Sequence, residues 1–148
     1  MKQECEIVIV EDNPDDAELM IRNLKKNQLA NKLVVLEDGE QALDYFFSKG
    51  VYKDRIPSGM NMLIFLDLKL PKVHGLEILK QLKSNEKTRK IPVVIVTSSR
   101  EDPDIEAAYD LGANSYVVKP VNYTEFVETV NHLGLYWLVI NENPKKSI

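Results

Sequence analysis

The sequence predicts an α/β fold, a doubly wound (βα)5 arrangement with helices on both faces of a five-stranded parallel sheet. Two observations lead there. Five short apolar runs recur at fairly even intervals: "EIVIV", "KLVVL", "MLIFL", "PVVIV" and "SYVVK". They are rich in Val and Ile and nearly continuous in apolarity, the pattern of parallel strands buried on both faces. The segments between them carry apolar residues at helical spacing. A chain of 148 residues suits one domain with a full hydrophobic core and leaves little room for a second.

The elements follow in order. The first run leads into a well-marked helix start, with Asn13 as cap, Pro14 at the first helical position, and Asp15 and Asp16 in the first turn as partners of the helix dipole. Ala17, Met20, Ile21 and Leu24 then fall on one helical face. After the second run, Leu43, Phe46 and Phe47 mark the next helix. The connection from Ser48 to Asn61, "SKGVYKDRIPSGMN", exceeds the usual two to six residues and reads either as a functional loop or, with more weight, as an insertion carrying an extra helical turn. The third run is followed by a helix with Ile78, Leu79 and Leu82. The fourth precedes one with Ile105, Ala108 and Tyr109 that ends before Gly112. The fifth leads to a last helix with Phe126, Val130, Leu133 and Trp137. No repeat finer than the strand–helix unit is present.

Composition narrows the function classes. A formal net charge of −4 supplies no electrostatic reason to expect nucleic acid as a partner. Lys and Arg are scattered apart from the tail "PKKSI", which is too short for a basic arm. The single cysteine, Cys5, excludes an intramolecular disulfide and any Cys-based zinc site, and fits a reducing compartment. No apolar leader precedes the first strand, and no run approaches the roughly 18 apolar residues of a membrane span. The expectation is a cytoplasmic protein with no membrane contact.

The stretch "LIFLDLKLPKVHG", residues 63 to 75, poses the chemical question, because an apolar strand ends there on an acid, Asp67. A carboxylate in apolar surroundings is costly unless it is paired, bound to metal or used. In open α/β sheets, sites form outside the carboxyl ends of the strands. The first strand delivers Glu11 and Asp12 there, the third Asp67, the fourth Thr97, Ser98 and Ser99, and the fifth Lys119. If the strands neighbour one another in the order 2-1-3-4-5, these groups converge on one rim. Crowded carboxylates repel unless a cation joins them, and oxygen-only ligands suit a hard cation such as Mg²⁺. Such a cation, with Lys119 and the Thr97 hydroxyl, could grip phosphoryl oxygens, and Asp67 could serve as nucleophile to give an aspartyl-phosphate.

The set "VEDN", "LDLKLP..HG", "VTS" and "YVVKP" resembles the receiver domain of two-component response regulators over residues 6 to about 133. "TSSREDPDIEAAYDLGANSYVVKP" and "YWLVINENP" are similar to the small stand-alone receivers that partner bacterial phytochrome histidine kinases. The resemblance implies a flavodoxin-like sheet in the order 2-1-3-4-5. It implies one receiver domain over 1–148, with a C-terminal extension from 134 and no output domain. It further implies that Asp67 accepts a phosphoryl group from a phosphohistidine on a sensor kinase. Asp12 would bind Mg²⁺ directly and Glu11 through water, with Asp67 and the backbone carbonyl of Lys69 completing the protein's ligands. Thr97 and Lys119 would hold phosphoryl oxygens, and Thr97 with Tyr116 would form the switch. The Lys119–Pro120 bond would be cis. Lys69 and Ser99 would border the path of an attacking water, and a lysine at the first position suggests a long-lived phosphoprotein. Glu11 departs from the more frequent aspartate of the acidic pair.

Other readings weigh less. Phosphatases that work through an aspartyl-phosphate, also Mg²⁺-dependent, carry a second Asp two residues after the nucleophile, where this chain has Lys69. A flavin binder of the same fold would need a phosphate loop after the first strand, and "EDNPDD" would repel phosphate. His74 and His132 lack a neighbouring base or motif and read as surface residues. Ser98 and Ser99 lack the His and acid that nucleophilic catalysis requires. The apolar end "LGLYWLVI" suggests a contact with another chain, a homodimer through the last helix and tail. The signal would leave by protein–protein contact with a phosphotransfer protein or an effector.

Overall fold

The computed structural model describes residues 5–26, 32–55, 61–119 and 123–132. Five parallel strands, β1 (Cys5–Val10), β2 (Lys32–Leu36), β3 (Asn61–Leu66), β4 (Val93–Thr97) and β5 (Ser115–Val118), form one sheet in the order β2-β1-β3-β4-β5. The helices between them are α1 (Pro14–Lys26), α2 (Gly39–Phe46), α3 (Gly75–Ser84), α4 (Asp102–Asp110) and α5 (Tyr123–His132). The expected element order and the reversal between β1 and β3 are both present. Continuity of apolar sequence follows position in the sheet. β4 is buried along its whole length, whereas β2 at the edge leaves Lys32 exposed and its next three residues half-buried.

Alternate side chains of each strand feed two separate cores. Ile7, Ile9, Leu63, Phe65, Val94, Val96 and Val117 pack with Met20 and Ile21 of α1 and Val127 of α5. Val8, Val10, Ile64, Leu66 and Ile95 face the other way, against Ala42 of α2, Ile78, Leu79 and Leu82 of α3, and Ala108 of α4. Each fully buried Ile or Leu contributes about 1.5–3 kcal/mol relative to exposure, so these two layers dominate the stability of the fold.

Two helical faces differ from the sequence reading. α2 turns Ala42, Tyr45 and Phe46 inward and leaves Leu43 and Phe47 only half-buried. Asp38 caps this helix, its Oδ1 accepting from the Gln41 amide at 2.8 Å, and Gly39 sits where a Cβ would overlap the Val73 carbonyl. That close contact sets the roll of the helix. α4 buries only Ala108, while Tyr109 stays half-exposed, its ring tilted against that of Tyr116 with centroids 6.5 Å apart.

The long connection contains the expected extra turn, a 3-10 turn at Gly50–Tyr52. It closes over Glu6, a carboxylate on β1 that is 1% exposed. Glu6 accepts a hydrogen bond from the Tyr45 hydroxyl, and Arg55 lies 3.9 Å from its other oxygen. The Arg55 guanidinium also stacks 3.9 Å from the Tyr45 ring centroid, and Tyr52 meets that ring edge-on at 5.1 Å. The Lys119–Pro120 bond, Leu133, Trp137 and the extension from 134 lie outside the described residues, as do the side chains of Phe126 and Val130.

Candidate functional site

The parallel register aligns the carboxyl ends of the strands. Val10 of β1 pairs with Leu66 of β3, and Thr97 of β4 with Val118 of β5, so the next residue of β1, β3 and β5 emerges on one rim. The ladder continues one step past these strands. The Glu11 amide donates to Leu36 O at 2.9 Å, the Asp67 amide to Val10 O at 3.1 Å, and the Lys119 amide to Thr97 O at 2.9 Å. Each site residue therefore leaves a backbone that is already hydrogen-bonded, which is the rigid support a site needs.

Glu11, Asp12 and Asp67 each offer a carboxylate oxygen, and these oxygens all lie within 4.8 Å of one another. Asp67 is 6% exposed and Glu11 3%, while Asp12 is exposed. The Lys119 ammonium bridges the buried pair, 2.7 Å from Glu11 Oε1 and 2.9 Å from Asp67 Oδ2. Burial pushes the Glu11 carboxyl up from 4.5 to about 7, against the opposing Lys119 and Asn13 hydrogen bonds and with added repulsion from Asp67. Burial acts to lower the Lys119 pKa, but its hydrogen bonds to Glu11, Asp67 and Asp16 outweigh that and hold it above the ordinary lysine value. Lys119 is thus a fixed cation, yet one ammonium does not offset the carboxylates gathered round it. The oxygen-only donor set and this shortfall of positive charge fit a hard divalent cation.

Local packing aims Asp67. The Gly75 amide donates to Leu68 O at 2.8 Å, and a Cβ on Gly75 would overlap the Asp67 carbonyl, so α3 begins directly against the acid's backbone. The exposed Lys69 donates its amide to Asp67 Oδ1 at 3.3 Å. Thr97 is fully buried and joins the site through its backbone, and its Oγ1 lies 3.5 Å from the Ser99 amide. Ser99 is the hub of the loop after β4. Its carbonyl accepts from the Tyr116 hydroxyl at 3.0 Å and its own hydroxyl donates to Asp104 Oδ2 at 2.6 Å. Burial first, and the carboxylates of Asp104 and Asp67 after it, raise the Tyr116 pKa, so its phenol stays a neutral donor.

The structure brings Glu11, Asp12, Asp67 and Lys119 together as the sequence predicts, with Thr97 of β4 and Tyr116 of β5 both touching the Ser99 loop beside them. It adds Asp16, whose Oδ2 lies 2.9 Å from Lys119 Nζ. Sequence reasoning assigned Asp16 to the helix dipole. The available signal was its position in the first turn of a helix that starts on the rim. His74 is exposed and serves α3, its Nδ1 accepting from the Leu76 amide at 3.1 Å. Ser98 and His132 are exposed and make no hydrogen bond within this cluster among the described residues.

Residues 7–131 match the response regulator receiver domain family. Response regulator Rcp1 of Synechocystis sp. is 35% identical over 132 residues, covering 89% of this chain and 88% of that protein. The solved bacteriophytochrome response regulator AtBRR is 46% identical with a TM-score of 0.82, covering 95% of this chain and 99% of that one. The phosphorylated cyanobacterial phytochrome response regulator RcpA is 34% identical with a TM-score of 0.76, covering 91% of this chain and 94% of that one. With its sheet order, its acidic rim and this match along most of its length, the chain belongs to the response regulator receiver domain family.

Proposed function

We propose that this receiver accepts a phosphoryl group on Asp67 from a phosphohistidine of a sensor histidine kinase and thereby switches its protein contacts. An Asp67 oxygen attacks phosphorus, the N–P bond breaks, and its electron pair stays with the imidazole. The observation that carries the reading is the Asp67 carboxylate itself, buried at the end of β3, 2.9 Å from a lysine cation and grouped with two further carboxylates. Asp12 and Asp67 would hold Mg²⁺ directly, Glu11 through water, and the Lys69 carbonyl would complete the protein's ligands. Bound there, the ion supplies charge neutralisation and a template for the phosphoryl oxygens.

Lys119 and Thr97 are the residues for those oxygens, and a shift of Thr97 reaches Tyr116 through Ser99, whose amide faces Thr97 Oγ1 and whose carbonyl accepts from the Tyr116 hydroxyl. Such a switch requires contacts that differ between two states. Similarity to AtBRR and RcpA supports a phytochrome-type kinase as partner, a cytoplasmic setting, and output by contact with a phosphotransfer protein or effector. A homodimer through α5 and the tail belongs to the same reading. Lys69, where phosphatases of related chemistry carry an acid, argues that the chain acts only on its own phosphoryl group.

Incubation with Mg²⁺ and acetyl phosphate, followed by intact and peptide mass measurement, tests this. A single phosphoryl adduct that needs Mg²⁺ and is lost in Asp67→Asn is the expected result. An adduct on another residue, or one that persists in Asp67→Asn, would sink the assignment.

A further inference from the structure

A lysine ammonium has three N–H donors and no acceptor. In Lys119 the three face three carboxylates, Glu11 Oε1 at 2.7 Å and Asp67 Oδ2 and Asp16 Oδ2 both at 2.9 Å. Two of these partners belong to the cluster with Asp12. Asp16 does not. It comes from the first turn of α1, 103 residues away in sequence. Its neighbour Asp15 already supplies an acid to the helix N-terminus, so the dipole does not account for the contact.

We infer that Asp16 is a positioning residue that holds the Lys119 ammonium in the resting pocket and competes with the phosphoryl group for one of its donors. The inference rests on the phosphoryl-acceptance reading of Asp67 and Lys119. Of the three partners Asp16 is the one able to let go. Its side chain is 40% exposed, so water solvates the carboxylate once the contact breaks, whereas Glu11 and Asp67 have no such recourse. A phosphoryl group on Asp67 presents new oxygens beside Lys119 and brings about two negative charges. One donor must turn to it, and the Asp16 carboxylate, bonded to the same nitrogen, opposes that exchange by occupancy and by charge. Phosphorylation would thus release the first turn of α1 from β5, a link between Asp67 and α1 that does not pass through Thr97 and Tyr116.

The test is the affinity of the full chain for beryllofluoride at saturating Mg²⁺, measured calorimetrically for wild type, Asp16→Asn and Asp16→Glu. Removing the competing charge should tighten binding about two- to fivefold, the size of a half-exposed charge contact, and Asp16→Glu should stay near wild type. A second readout needs no metal: acetylation of Lys119 by acetic anhydride, mapped by peptide mass, should quicken in Asp16→Asn and not in Asp16→Glu. Unchanged or weaker beryllofluoride binding in Asp16→Asn, or unchanged Lys119 reactivity, would overturn the inference while leaving the receiver reading standing. Failure of the wild type to bind beryllofluoride would instead overturn the phosphoryl-acceptance reading, and this inference with it.

Discussion

Titrating the metal-free protein from about pH 5 to about pH 8 in a chelator probes the carboxylate cluster through Glu11. Glu11 is 3% exposed, and burial is the main cause of its rise from 4.5 to about 7. Between those values the folded protein holds a proton that the unfolded chain has released. The stability contributed by protonated Glu11 is therefore fully present below 4.5 and is lost as pH rises through about 7. At about 1.4 kcal/mol per pH unit the interval corresponds to at most about 3.5 kcal/mol, a large share of the 5–15 kcal/mol typical of a domain. Pairing with Lys119 divides the effect between two groups, so about 1–3 kcal/mol is the expected loss. Urea unfolding at constant m reads it directly. Glu11→Gln should flatten this part of the profile and be the more stable protein at the alkaline end. Saturating Mg²⁺ should flatten it too, since the ion binds the deprotonated, folded cluster. Parallel pH profiles for wild type and Glu11→Gln would refute the reasoning.

Two further expectations concern the buried Glu6 and the Lys69 position beside Asp67. Tyr45→Phe keeps the ring contacts with Tyr52 and Arg55 but removes the hydroxyl donor to the buried Glu6 carboxylate. It should cost about 1.5–3 kcal/mol by urea unfolding, the range for a hydrogen bond to a charged group, and a loss well under that would show that Arg55 and Lys32, whose ammonium lies 3.8 Å from Glu6 Oε2, already satisfy Glu6. Lys69→Ala should shorten the life of the phosphorylated chain, followed by intact mass after the phosphodonor is removed, because the exposed Lys69 side chain sits two residues from Asp67. An unchanged decay would refute shielding by this lysine.

The rim residues were legible because a buried parallel strand announces its own end. In "MLIFLD" the apolar run stops at the residue that leaves the sheet, and the same holds for "VIVED" and "YVVK". The helices were less legible in detail. In α2 the apolar pattern pointed Leu43 and Phe47 to the core with Phe46, whereas the helix, with Gly39 packed under the Val73 carbonyl, buries Ala42 and Tyr45 instead. Glu6 gave no sign of its burial, since an acid at the start of a strand ordinarily faces water. Its burial comes from partners distant in sequence, Tyr45 of α2 and Arg55 of the long connection among them.

The amino-acid order alone determined the element sequence, the residues at the strand ends and hence the chemistry the site contains, because strand periodicity and strand termination are local properties. Tertiary structure alone decided which carboxylates share Lys119. Whether Asp16 reaches that ammonium depends on the roll of α1 on the sheet and on the register of β4 with β5, and local spacing leaves both undefined. The same physics separates Asp67, whose place follows from the end of its own strand, from Asp16, whose role exists only once two distant segments are packed together.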